Sequence, residues 1–159
     1  ASPQDQGQLE AIIIRPESNH RESPAVVYLS PEGGVEGDLW AISEGSDPRA
    51  QVSLMNARLL KLIARTEDRM SLAGDNLIVD LDLTEANLPI GQKLAVGEAL
   101  VQVTDLPHTG CKQFAERYGP DAVRFINAAE RKHLRLRGLY VRVLKAGTVR
   151  VGDTIRKMT

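Results

Sequence analysis

Asn76-Leu77-Ile78-Val79-Asp80-Leu81-Asp82-Leu83 sets Leu77, Val79, Leu81 and Leu83 two residues apart, with Asp80 and Asp82 between them. A period of two predicts a half-buried β-strand. The same signal recurs on both sides. Lys93–Val96 and Ala99–Thr104 flank Gly97-Glu98, which reads as a hairpin. Upstream, Leu9–Arg15 with Ile12-Ile13-Ile14, Ala25–Leu29 and Gln51–Met55 read as strands rich in β-branched residues. Downstream, Leu134 and Leu136 alternate with Arg135 and Arg137. Beyond Gly138 the apolar positions shift to Leu139, Val141 and Val143, a slip of parity that predicts a β-bulge at the glycine. Val149–Ile155 adds short strands around Gly152-Asp153.

Helices are few. Asn56 is placed to cap a helix over Ala57 to about Thr66, with Leu59, Leu60 and Ile63 on one face. Cys111–Tyr118 and Asp121–Ile126 read as two short helices separated by Gly119-Pro120. Eight or more short strands with turns between them favour a barrel or sandwich over a parallel α/β sheet. The expected fold class is mostly β. Residues 1–8 read as a disordered lead and 9–159 as a single domain, a fitting size for 159 residues.

Composition narrows the function classes. The formal net charge is −1, so no global field points to nucleic acid or a membrane surface. The basic run Arg131, Lys132, His133, Arg135 and Arg137 has no interleaved aromatics for base stacking, and nucleic acid is not expected. No apolar run approaches the ~20 residues of a membrane helix. The polar N-terminal segment lacks the apolar core of a signal peptide, and a cytoplasmic location is the default expectation. A single cysteine excludes an internal disulfide.

That cysteine, Cys111, lies in Pro107-His108-Thr109-Gly110-Cys111-Lys112-Gln113-Phe114 at the start of a predicted helix. Free amides and the helix dipole there favour a thiolate, and His108, Lys112 and Arg117 add positive charge nearby. Two readings stand for it: a reactive thiol, or a buried apolar filler. Zinc is disfavoured, because only His20 and His133 remain to complete a four-ligand set with His108 and Cys111. The chain has no Gly-x-Ser-x-Gly elbow and no Gly-x-x-x-x-Gly-Lys loop. Arg49, after a glycine-rich loop, is suited to phosphate, and Asp38 is placed to hold it. Asn76 can orient a ligand or close a turn. On a strand, Arg135 and Arg137 would share one face, facing either an anionic ligand or solvent.

The order of motifs carries more than any one of them. Gly33-Gly34 and Gly37-Asp38 are followed by Arg49-Ala50-Gln51-Val52-Ser53-Leu54-Met55. Next come Gly74-Asp75-Asn76-Leu77, Leu88-Pro89-Ile90-Gly91 and Val96-Gly97-Glu98-Ala99. Then follow His108-Thr109-Gly110-Cys111, Leu136-Arg137-Gly138-Leu139-Tyr140-Val141-Arg142-Val143 and Gly147-Thr148-Val149-Arg150-Val151-Gly152-Asp153. The series resembles the MOSC domain, the C-terminal module of molybdenum cofactor sulfurases, and is most similar to its small stand-alone members. The resemblance runs from about Gly7 to Lys157.

It implies a closed or nearly closed β-barrel with a few short helices. It implies that Cys111 either carries sulfane sulfur as a persulfide or ligates molybdenum in the pterin cofactor, molybdopterin. Arg49, Asn76, His108, Thr109, Gly110, Lys112 and Arg137 become the expected cofactor-binding residues. Where the family often has Gly-Glu-Asn, this chain has Gly74-Asp75-Asn76, a shortened carboxylate. A cysteine desulfurase or other sulfur donor, an electron-transfer protein, or both become the expected partners. Pyridoxal phosphate belongs to the large domain of the full sulfurases, and no lysine here stands out for a Schiff base. Two other functions remain open at this point. One is molybdenum-cofactor-dependent reductive detoxification of N-hydroxylated bases or amines with a separate electron donor. The other is a non-catalytic interaction domain with Cys111 buried.

Overall fold

The computed structural model describes residues 1–17, 20–65, 69, 74–108 and 112–158, with the backbone alone for Lys112 and Gln113. Twelve strands and three α-helices run through them: β1 (Gln6–Ile12), β2 (Ile14–Glu17), β3 (His20–Glu22), β4 (Val26–Ser30), β5 (Gly34–Val35), β6 (Val52–Asn56), α1 (Ala57–Ala64), β7 (Leu77–Asp80), β8 (Lys93–Val96), β9 (Ala99–Val103), α2 (Lys112–Tyr118), α3 (Pro120–Asn127), β10 (Leu139–Lys145), β11 (Gly147–Arg150) and β12 (Thr154–Met158). Seven of the strands close a barrel in the order β1-β12-β8-β9-β10-β6-β7. The structure is therefore a mostly β closed barrel with a few short helices, as expected. No described helix is long and apolar enough to cross a membrane.

The hairpin at Gly97-Glu98 pairs β8 with β9 antiparallel, Leu94 opposite Val101. Along β9, Ala99, Val101 and Val103 point inward, and on β10 so do Leu139, Val141 and Val143. These positions join Leu54, Val79, Val96 and Ile155 in one core cluster. Fully burying each such side chain is worth about 1.5–3 kcal/mol, and this drives closure.

Two strands depart from clean alternation. On β7, Leu77, Ile78 and Val79 are all fully buried, so the strand is not half-buried as the period of two predicts, and it ends at Asp80. The reason is a second apolar layer. Ile13, Met55, Leu60, Ile78, Phe114 and Ile126 pack outside the barrel wall beneath the helices. A strand covered on both faces has no polar side. In this region β6 pairs parallel with β7, and α1 lies between them in sequence. Asn56 caps α1, its Oδ1 accepting from the Leu59 N–H at 3.0 Å, and the helix ends at Ala64.

Two expectations are corrected. Ala129–Leu134 is a 3-10 helix and Arg135 turns left-handed, so Leu134–Arg137 is not a strand and Gly138 is not a bulge. The parity slip marks the join between a helical turn and β10. Gly138 has φ +107, and a Cβ there would lie 2.1 Å from the Leu54 carbonyl oxygen, so it is a close-approach glycine. The second concerns the N-terminal stretch read as a lead. It holds the start of β1 at Gln6, and the Pro3 carbonyl accepts from Asp82 N–H at 2.8 Å.

Candidate functional site

Asp75 immediately precedes Asn76 and β7, His108 lies in the segment leaving β9, and Arg137 lies just ahead of β10. β9 and β10 are neighbours in the wall and β6 alone separates β10 from β7, so residues far apart in sequence meet at one end of the barrel. His108 Nε2 is 2.8 Å from Asp75 Oδ1, and Arg137 Nη1 donates to Asp75 Oδ2. Asp75 and Arg137 are buried, Asp75 to 1% side-chain exposure, and the His108 side chain is 9% exposed. The His108 ring stacks on Tyr140 of β10, with centroids 4.3 Å apart. The Arg137 guanidinium lies 4.8 Å over the ring of Phe114 on α2.

The charges are fixed by this geometry. Burial alone would raise the Asp75 pKa, but Arg137 and His108 outweigh it and hold the carboxyl down at about 2. Burial pushes the His108 pKa below its ordinary value; Asp75 opposes this, while Arg137 and Arg15 reinforce it. The unit at neutral pH is thus a carboxylate–guanidinium pair carrying a neutral imidazole.

Two further arginines lie against the turn that delivers Asp75. Gly74 has φ +75, and a Cβ on it would be 3.3 Å from Arg21 Nη2 and 3.4 Å from Arg15 Cδ. The Arg21 pKa is lowered, first by burial and then by repulsion from Arg117 and Arg15. The Nε atoms of Arg15 and Arg21 are buried and have no hydrogen-bond partner among the described residues. A cavity of about 280 Å³ lies beside the same network, with His108 and Arg137 in its lining along with Leu106, Ile126, Arg135 and Leu139.

The other expected site residues are placed as follows. Arg49 is half-exposed and pairs with Asp47 at 2.9 Å and Asp105 at 3.3 Å. Asp38 does not hold Arg49. It accepts from the Arg15 backbone N–H at 2.8 Å and the Trp40 N–H at 3.2 Å, because the 3-10 turn at Leu39–Ile42 uses it as a cap. Asn76 is buried, with Oδ1 accepting from Ser53 N–H at 3.1 Å and Nδ2 donating to the Ile13 carbonyl at 3.2 Å. Thr109, Gly110 and Cys111 lie outside the described residues, as does the side chain of Lys112. Among the described residues, no group of three His, Cys, Asp or Glu is placed to hold a metal.

Sequence reasoning did not single out Arg15, Arg21 or Tyr140. The signals available were the glycine of Gly74-Asp75, which lets two arginines close over the turn, and the position of Tyr140 three residues after Arg137.

Comparisons with known proteins agree with this architecture. The MOSC domain family model matches residues 32–156. A search of curated proteins returned no match. Among solved structures, the YuaD protein of Bacillus subtilis superposes with a TM-score of 0.63 at 17% identity, over 94% of each chain. YiiM of Escherichia coli gives 0.61 at 21% identity, over 96% of this chain and 70% of that one. YiiM of Geobacillus stearothermophilus gives 0.66 at 19% identity, over 96% and 75% respectively. At these identities the likeness is one of fold.

Proposed function

This chain belongs to the MOSC domain family, and we propose that it binds the molybdenum cofactor, carries sulfane sulfur on Cys111, or does both. The observation that carries this reading is the pair of arginines at the site. The Nε–H groups of both are buried without a partner among the described residues, although Arg15 Nη2 lies 3.6 Å from Asp38 Oδ2, and both side chains are set against the Asp75 turn. Each such donor left without a partner costs about 1–3 kcal/mol. A bound phosphate group would recover it, since guanidinium forks match phosphate oxygens. The donor set therefore suits the phosphate-bearing pterin of the cofactor.

In this reading Arg15 and Arg21 hold the anionic end. Asp75 keeps His108 and Arg137 in place beside it and excludes water from their shared hydrogen bonds. Cys111, one residue ahead of α2, supplies a thiolate favoured by helix-start amides and nearby cations. When bound, the cofactor supplies the redox chemistry of a soft-sulfur-ligated molybdenum. Sulfur would come from a cysteine desulfurase or another donor, and electrons from a separate electron-transfer protein.

The test is to purify wild type and Cys111→Ser from cells with an intact cofactor pathway. Bound molybdenum, bound pterin and persulfide mass are then measured on each. Metal or pterin on wild type that drops in Cys111→Ser supports the ligand role; a +32 Da persulfide on Cys111 supports the carrier role. Wild type with none of these, and a thiol no faster than free cysteine, would leave only an interaction domain.

A second reading has one observation behind it. The cavity beside His108 and Arg137 gives a small molecule room next to the proposed cofactor. That favours reductive chemistry on a bound substrate over sulfur carriage alone.

A further inference from the structure

The cavity contains a residue that its backbone would not choose. Arg135 has φ 49 and ψ 52, the left-handed region. Only Arg135 and Arg65 among the described non-glycine residues have positive φ. Holding an arginine there costs on the order of 1 kcal/mol, which glycine would not incur and asparagine would reduce. The conformation is enforced on both sides: Arg135 N–H donates to the Lys132 carbonyl at 3.1 Å, and Gly138 N–H donates to the Arg135 carbonyl at 2.9 Å.

The strained backbone delivers a guanidinium fixed by one of its ends. Nη1 donates to the carbonyls of Leu83 at 3.2 Å and Leu88 at 2.5 Å. The guanidinium makes no other hydrogen bond among the described residues; Arg135 lines the cavity and, with Leu83, a second hollow as well. Half-burial lowers the Arg135 pKa, opposed by Glu85, and the group stays charged. A guanidinium anchored at one nitrogen, on a residue that lines a cavity, keeps two further nitrogens with which to read a carboxylate in two hydrogen bonds.

The rest of the lining fits such a ligand. Leu106, Ile126, Leu136 and Leu139 supply apolar walls. Of the charged lining groups, Asp105 is engaged by Arg49 and Arg137 by Asp75. That leaves Lys132 and Arg135 against Glu85 in the charge count of the lining, a balance that favours an anion.

We propose that this cavity binds a small organic carboxylate with an apolar, ring-sized body, and that Arg135 reads its carboxylate. The site needs neither Cys111 nor a metal, so it goes beyond the cofactor reading and can stand or fall separately from it. The probe is 2-naphthoate, with the neutral 2-naphthalenemethanol as its control, titrated into the full chain by calorimetry. The expected result is saturable binding of naphthoate, with the alcohol weaker by about tenfold or more, the worth of a charge-assisted pair. Arg135→Gln should lose about the same factor, and Arg135→Lys, which keeps the charge but not the fork, less. Ile90→Glu is the variant safest for folding, because Ile90 lines the cavity and is 64% exposed. It adds a negative charge at the mouth and should also weaken naphthoate. Cys111→Ser should bind naphthoate as wild type does, whatever the molybdenum assay shows. Equal binding of acid and alcohol, no binding of either, or unchanged affinity in Ile90→Glu and in folded Arg135→Gln would overturn the proposal.

Discussion

Asp75 Oδ1 lies 2.8 Å from His108 Nε2 with almost none of the carboxylate open to water. Since burial leaves the imidazole neutral, the shared proton resides on Nε2 and Nδ1 is the acceptor. Asp75 therefore sets both the orientation and the tautomer of His108, while Arg137 keeps Asp75 ionised.

Replacing Asp75 with Asn keeps the shape and removes the charge. Arg137 would remain buried without its counter-ion, which typically costs 3 kcal/mol or more. Asp75→Asn should lose about 3 kcal/mol by urea denaturation. A loss under about 0.5 kcal/mol would mean that Arg137 relaxes into water instead.

Acid should weaken the fold in two stages. The His108 pKa is lowered in the native state, so the unfolded chain takes up that proton first. Stability is then full above about pH 6.5 and declines as the pH drops below it. Asp75, at about 2 when folded against an ordinary 3.8, adds about 2 kcal/mol that disappears between about pH 4 and pH 2. Urea midpoints from pH 7.5 to 3 should show the first decline in wild type and lose it in His108→Gln.

Asn76→Ala should destabilise by about 2–3 kcal/mol. It removes the acceptor for Ser53 N–H and the donor to the Ile13 carbonyl, both buried between strands. Thermal melting of the variant is the measurement, and an unchanged midpoint would show that water replaces the amide.

Gly138→Ala should cost about 3 kcal/mol or prevent folding, since a Cβ meets the Leu54 carbonyl oxygen and φ is +107. Gly45→Ala is the control. It shares a positive φ of 71 but meets nothing within 4 Å, so it should suffer the smaller strain alone.

The arginines near Gly74 repel one another in the free protein. Removing one, as in Arg21→Met, should raise the melting temperature in low salt and less so in 0.5 M salt, where charges are screened. Inorganic pyrophosphate should stabilise wild type and have a smaller effect on Arg21→Met. The opposite ranking would remove the phosphate-binding argument.

Much of the barrel was legible because its strands carry local signals. The Gly97-Glu98 hairpin and the Asn56-capped helix each declare themselves within a dozen residues. Leu134–Arg137 misled for the same local reason: alternation in four residues fits a strand, and only the left-handed turn at Arg135 distinguishes it. At the candidate site, His108 and Arg137 were named from the company of a cysteine and a basic run. The carboxylate joining them is 33 residues from one and 62 from the other, so no local pattern could connect them. Arg15 and Arg21 arrive through the β2–β3 pairing, whose short polar strands have almost no apolar signature.

The barrel closes where β1 meets β12, Gly7 opposite Ile155. That seam joins β1 to β12, about 150 residues apart, so the wall cannot be completed until β12 has been made. Contacts of such long sequence separation are slow to form. On the ribosome, the hairpin and the helices can form early, but β1 must wait for β12 with its edge exposed. Emergence of Thr154–Met158 is then the event that makes the chain a barrel.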